Sequence, residues 1–473
     1  MPVLIRGGEI PGIGRSDLRL EAGRITELAP SLERGGDDEV IDAGGGAVIP
    51  GLHDHHLHLQ ALAAAADSVA AGPPDIATAA QLGERLASAA AAHSPGEWVR
   101  AVGYHQSVAG DLDRWSLDRL LSTHPVRVQH RSGAEWIVNS AGLEALGVDG
   151  HAPPGVERGA DGRPTGRIWR EDAWLATRLA RPTPDFGAIS RRAAAQGITG
   201  FTDATPDRDA RDLARLTELS DSGVIRQRLH LMAPGGVHPP DRQLVTRGPV
   251  KVLLDDTTLP TLDQLTGRIR AAHHQGRSIA IHCVTRVQAV LSVAALAEAG
   301  GSAGDRIEHG AVLGADLLPT LRQLGITVVT QPGFVLSRGD EYLADVDPSD
   351  RGDLWRLASL LSAGVSVAGS TDAPFGAADP WAAIRAAATR QTATGQRLGP
   401  AEQVTAVRGL ELFLGHADRP ADPRRVEVGS VADLCVLAEP LAVVLAGLED
   451  PRVLATVVNG SVIYDRRSLD ASD

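Results

Sequence analysis

Lysine is almost missing from this chain. Lys251 is the only one among 46 basic side chains, so arginine supplies every other fixed positive charge. Arginine serves wherever charge alone is needed, but only a lysine amine can lose its proton and react. The solitary lysine is therefore either a chance survivor or a residue whose amine is required. Cysteine is equally scarce: Cys283 and Cys435 stand far apart, which excludes a disulfide framework and suits a reducing cytoplasm. No run of about 18 apolar residues occurs, so no membrane span is expected. The start, Met1-Pro2-Val3-Leu4-Ile5-Arg6, lacks the pattern of a signal peptide. Positive charge is outweighed too. A formal net charge of −13 argues against nucleic acid and anionic membrane surfaces as partners, which leaves a small-molecule substrate.

What is present is enough for a large core: 473 residues with 43% hydrophobic content. Both ends read as short strands joined by Gly-containing turns, such as Val3-Leu4-Ile5, Arg24 to Leu28 and Val40-Ile41-Asp42. Near the C-terminus, Val431 to Leu437 and Val453 to Val458 lead through an Asn459-Gly460 hairpin turn into Ser461 to Tyr464. Residues 1–49 with 419–473 are expected to form one composite β-sandwich-like domain. Residues 50–418 alternate strands with helical patterns, which predicts an α/β architecture, a (β/α)8 TIM barrel with insertions. Nine strand candidates compete for its eight places. They are the opening Val48-Ile49 and the stretches beginning at Val126, Gly200, Arg228, Val250, Ser278, Arg306, Thr327 and Val365. Leu229 to Met232 and Val250 to Leu254 are the ambiguous pair. Residues 181–184 and Pro239-Pro240 read as loops.

The densest chemical signal is Pro50-Gly51-Leu52-His53-Asp54-His55-His56-Leu57-His58. Alternation along a strand puts His56 and His58 on one face, able to share a metal ion, and His53 and His55 on the other. A solvent-exposed histidine loop is the plain alternative. The position at the C-terminal end of an apolar strand, where parallel barrels place their chemistry, favours the metal. Further polar residues fall at strand ends: His282, His309 and Asp372, with Lys251 inside an apolar strand. Each alone has a bland reading, as a satisfied core histidine, a helix cap or an ion-pair partner. Their occurrence together and in this order is harder to ascribe to coincidence.

This ordered set resembles the amidohydrolase superfamily of metal-dependent hydrolases, and within it the family 3, YtcJ-like branch, over nearly the whole chain. The opening segment is similar to the branch's PGxxDxHxH motif. Arg131 to Ser140 resembles its second-strand segment ending in Val-Asn-Ser, and Gly197 to Ala204 its third strand. Gly248-Pro249-Val250-Lys251 matches the place of its modified lysine. Arg306-Ile307-Glu308-His309 resembles its sixth strand and Gly369 to Pro374 its eighth. The resemblance implies a divalent metal, zinc by expectation, at one or two ions per chain. His56 and His58 would hold one ion and His282 and His309 the other. A carbamate formed from Lys251 and CO₂ would bridge them, and Asp372 would be both a ligand and the general base. It implies a cytoplasmic enzyme cleaving a C–N bond of amide or formamide type. Hydrolytic deamination or cyclic-amide opening are the alternatives on the same fold, and a metal-bound barrel without catalysis is a remoter one. A homodimer is compatible with it.

The chain departs from the branch at three places. Ala134 replaces a histidine, His105 follows Tyr104 where an acidic residue is usual, and Thr371 is inserted before Asp372. Glu171 reads as a loop residue near the pocket mouth, and is a rival carboxylate bridge should Lys251 stay unmodified. Cys283, beside His282, is expected to point away from the metals and serve packing.

Overall fold

A computed structural model of the chain describes residues 1–148, 152–179, 184–239, 241–447 and 449–467. The expected loops at 181–183 and Pro240 lie outside these. The chain divides into two compact units, one of residues 1–59 with 186–473 and one of residues 60–185.

The first unit contains eight parallel strands in sequence order around a nearly closed barrel. They are β1 (Leu52–Leu57), β2 (Ile198–Asp203), β3 (Arg228–Ala233), β4 (Val245–Val252), β5 (Ile279–Cys283), β6 (Arg306–His309), β7 (Thr327–Thr330) and β8 (Ser366–Gly369). Strands covered on both faces must be nearly continuous in burial rather than alternating, and β1, β2, β6 and β7 are buried at every position. The ring is drawn together past the ends of β8 and β1 by two backbone bonds. The Asp372 N–H donates to the His56 carbonyl at 2.9 Å, and the His58 N–H to the Ala373 carbonyl at 2.8 Å. The helices that cover the barrel begin where their sequences supply caps. Thr261 with Gln264 opens Leu262–His274, and Thr285 with Gln288 opens Arg286–Ala299, each as a reciprocal capping box.

The same unit holds two four-stranded sheets. One contains Val3–Ile10, Gly14–Glu21, Arg24–Ala29 and Glu39–Asp42; the other contains Val48–Pro50, Leu434–Leu437, Val453–Val458 and Ser461–Asp465. Inward residues of both, among them Ile5, Leu18, Ile25, Val48, Leu434 and Val457, share one apolar core.

Two sequence readings need correction here. Val48-Ile49 is not the first barrel strand: it pairs antiparallel with Leu434–Leu437, and the barrel starts at Leu52. The surplus candidate is Val126–His130, while both ambiguous stretches, β3 and β4, are barrel strands. Val126–His130 belongs to the second unit, in a six-stranded sheet with Val69–Ala70, Val99–Tyr104, Glu135–Val138, Val156–Arg158 and Pro164–Trp169. A short extended stretch with Val126 and Val128 reads alike in a barrel and in another sheet; here those two side chains are buried while Arg127, Gln129 and His130 are half-buried. The second unit packs its own cores around Leu82, Leu117 and Val128 and around Trp136, Leu143 and Ile168.

Candidate metal centre

Three ligand atoms, one each from His56, His58 and Asp372, lie within 4.8 Å of one another, a grouping able to hold a metal ion. Their convergence follows from the two backbone bonds that join the ends of β1 and β8. Asp372 Oδ1 is 3.2 Å from His58 Nε2 and 3.5 Å from His56 Nε2, and Asp372 Oδ2 is 3.9 Å from His309 Nδ1. The His309 ring lies 4.8 Å from that of His56 and 4.5 Å from that of His282, centre to centre. Both His309 (φ 69°) and Asp372 (φ 55°) adopt the left-handed backbone region. Non-glycine residues occupy that region at a cost, which tends to be tolerated where function requires the geometry.

The histidines are held from behind. His56 Nδ1 hydrogen-bonds Glu308 Oε2, His58 Nδ1 meets Thr205 Oγ1 at 3.2 Å, and His309 Nδ1 meets Gln331 Oε1 at 2.9 Å. A partner on one ring nitrogen fixes the orientation of the other, as in metal-ligating histidines. For His56 the tautomer follows from charge. Burial alone would raise the Glu308 carboxyl, but Arg306 and His56 outweigh it and hold it well below the usual range. An ionised carboxylate only accepts, so His56 Nδ1 carries the proton and Nε2 presents a lone pair. Arg306 grips both Glu308 oxygens and donates from Nη2 to the His55 carbonyl at 2.5 Å.

Buried polar atoms without partners mark where a group is wanted. Among the described residues, His56 Nε2, Asp372 Oδ1 and Lys251 Nζ are buried with no hydrogen bond. Burial lowers the Lys251 amine to about 8 against the opposing pull of Glu308 and Asp372. Burial, then Lys251, takes His56 to about 3, and burial drives His282 well below its ordinary value. Asp372 moves the other way. Burial works to raise it, but His58, His309 and His56 together hold it below the usual carboxylate range. His56 and His282 are thus neutral nitrogens and Asp372 an ionised carboxylate, the protonation states in which such side chains bind a divalent cation.

His53 and His55 stack on each other at 4.6 Å, and His53 Nε2 meets Thr202 Oγ1 at 2.9 Å, apart from the metal group. Cys283 is fully buried and its thiol is pushed up to about 12 by burial. The inserted Thr371 has a structural use: its N–H donates to Asp54 Oδ1 at 3.0 Å and its hydroxyl to Asp54 Oδ2, tying β8 to β1. In the second unit, Glu171 accepts the Gly155 N–H at 3.1 Å, and His105 Nδ1 meets Ser107 Oγ at 2.9 Å at a helix start. Sequence reasoning missed Glu308, Gln331 and Thr205. Glu308 was visible beside His309, yet strand alternation sends neighbours to opposite faces. The left-handed backbone at His309 ends that alternation, so both residues reach His56.

The amidohydrolase family model matches residues 39–464. An N-substituted formamide deformylase of Arthrobacter pascens is 26% identical over 535 residues, covering 98% of this chain and 95% of that protein. The putative amidohydrolase YtcJ of Bacillus subtilis (strain 168) is 23% identical, covering 98% and 96%. Among solved structures, an uncharacterized metal-dependent hydrolase from Pyrococcus horikoshii OT3 shares the fold with a TM-score of 0.74 at 18% identity, over 94% of this chain and 99% of that one. With a match that runs through the barrel and the inserted unit, the chain belongs to the amidohydrolase family.

Proposed function

We propose that this chain hydrolyses the C–N bond of an N-substituted amide or formamide at a divalent metal held by His56, His58 and Asp372. His282, His309 and Lys251 complete the site. The observation that carries this reading is the set of buried, unpartnered atoms at one end of the barrel, namely His56 Nε2, Asp372 Oδ1 and Lys251 Nζ. The nitrogen-rich donor set with one carboxylate suits zinc. A divalent cation there acidifies water and polarises a carbonyl oxygen.

The remaining chemistry belongs to the side chains. Asp372 stays ionised at neutral pH and accepts a proton from water as the new C–O bond forms. It returns that proton to the nitrogen as the C–N bond breaks. Glu308, locked by Arg306, keeps the His56 lone pair aimed at the site. Lys251 has an amine that burial has made easier to deprotonate. The neutral amine adds to CO₂ and releases one proton, giving an anionic carbamate oxygen able to ligate where the amine could not. Arginine cannot make this adduct, which explains why one lysine survives in an arginine-biased chain. Two buried free thiols, Cys283 and Cys435, suit the cytoplasm.

The reading is tested by metal analysis and a turnover screen across amides, formamides, cyclic ureides and amino-heterocycles. We expect one to two metals per chain and amine release from the amide series. Lys251→Arg should lose metal together with the carbamate mass increment. Full metal loading and unchanged turnover in Lys251→Arg would reject the role given to Lys251, and ammonia released from heterocycles alone would reject the substrate class.

A further inference from the structure

The segments that follow β5 to β8 build one apolar wall beside the candidate metal centre. Val284 stands two residues after His282, Ala311 two after His309, Phe334 three after Gln331 and Phe375 three after Asp372. All four belong to a single cluster with Trp355 and Tyr342. The chain is poor in aromatics, at 3%. Yet this cluster gathers two of the five phenylalanines, one of the three tyrosines and one of the seven tryptophans. Phe375 stands edge-on to His58 with ring centres 5.3 Å apart, so the wall reaches the candidate ligands themselves.

Two features separate this wall from ordinary core. Val284, Tyr342 and Phe375 keep part of their surface exposed, where a core would cover them. The wall is also fixed in place. Trp355 packs 5.2 Å from Phe334, and the Arg338 guanidinium lies 4.2 Å over Phe334 while donating to the Phe375 carbonyl at 2.5 Å. Trp355 adds a cost that packing alone does not explain. Its backbone is left-handed (φ 49°), and its indole Nε1 is buried without a partner among the described residues.

We infer that this wall is the subsite for a bulky apolar, ring-bearing substituent on the scissile nitrogen. The inference rests on the formamide form of the reading above: a formyl group has no side chain to fill such a wall, so the apolar group belongs to the amine side. Polar or charged substituents would lose hydration against its apolar faces, a cost that an apolar substituent does not carry.

The test uses metal-loaded enzyme and two matched series. N-cyclohexyl- and N-phenethylformamide are compared with N-(2-hydroxyethyl)formamide and N-formylglycine for kcat and KM. Binding is scored separately by tryptophan fluorescence with the corresponding N-substituted acetamides. We expect kcat/KM to favour the apolar series by at least about tenfold. In Phe375→Ser that apolar-to-polar ratio falls about tenfold, chiefly through KM, whereas Phe375→Leu retains most of it. Equal or reversed preference in the native enzyme, or an unchanged ratio in a folded Phe375→Ser, overturns the inference. If no formamide is hydrolysed but the apolar acetamides bind selectively and lose that selectivity in Phe375→Ser, the subsite stands and the reaction assignment falls. Absence of selective binding overturns the subsite whichever bond is cleaved.

Discussion

Replacing Glu308 by glutamine separates the positioning of His56 from the chemistry that follows. Glutamine keeps the volume and an oxygen able to accept from His56 Nδ1, but it removes the charge. Arg306, about 1% exposed, is then left with its cation buried and unopposed. Breaking a buried pair from one side costs on the order of 3–5 kcal/mol, and the two bonds from Arg306 to Glu308 place this pair in that class. The looser His56 ring should weaken metal binding by about ten- to a hundredfold. Chelator-competition titration of zinc gives the affinity, and denaturant unfolding of the metal-free protein gives the stability without the metal's contribution. Glu308→Asp restores charge but not reach, so it should recover much of the stability and little of the affinity. If Glu308→Gln binds zinc as tightly as the native chain and unfolds at the same denaturant concentration, the positioning argument is wrong.

Two other outcomes follow from single contacts. Asp203 is fully buried and is held down to about 2, burial opposing and Arg208 prevailing through bonds of 2.8 and 2.7 Å. Its folded value lies below its ordinary 3.8. Its contribution is therefore present above pH 4 and lost as pH falls toward 2, by about 2 kcal/mol. Unfolding free energies measured over that window should show the loss in the native chain and a flatter profile in Asp203→Asn. Gly200→Ala would place a Cβ 2.3 Å from His53 Nδ1, on a ring already fixed by Thr202 and stacked on His55. A cost of roughly 1–3 kcal/mol is expected, and a thermal unfolding midpoint equal to the native one would show that the His53 stack yields freely.

The barrel was legible where its strands carry polar residues at their ends. His282 follows Ile279-Ala280-Ile281 and Asp372 follows Val367-Ala368-Gly369-Ser370-Thr371, and that juxtaposition is a property of the linear sequence. The boundary of the inserted unit was not legible, because Val126–His130 reads as a strand in either setting and only its pairing with Val99–Tyr104 and Glu135–Val138 places it. The pairing of His56 with His58 was readable from the HisxHis spacing, since alternation is local. Its supports were not: Glu308 to His56, Gln331 to His309 and Thr205 to His58 are contacts between the ends of different strands, 252, 22 and 147 residues apart in sequence. Thr371 looked like an insertion that breaks a motif, and proves to be the residue that binds Asp54. The lone lysine was readable for the opposite reason, since a residue type used once draws notice without any geometry.

Crystals grown with zinc and measured on both sides of the zinc absorption edge would locate the ion directly. Anomalous density is expected at about 2.0–2.2 Å from the nitrogens of His56 and His58 and from the Asp372 carboxylate, with Lys251 extended by a carboxyl group. Zinc bound elsewhere, with these three side chains uncoordinated, would contradict the assignment of the metal centre and the hydrolytic role built on it.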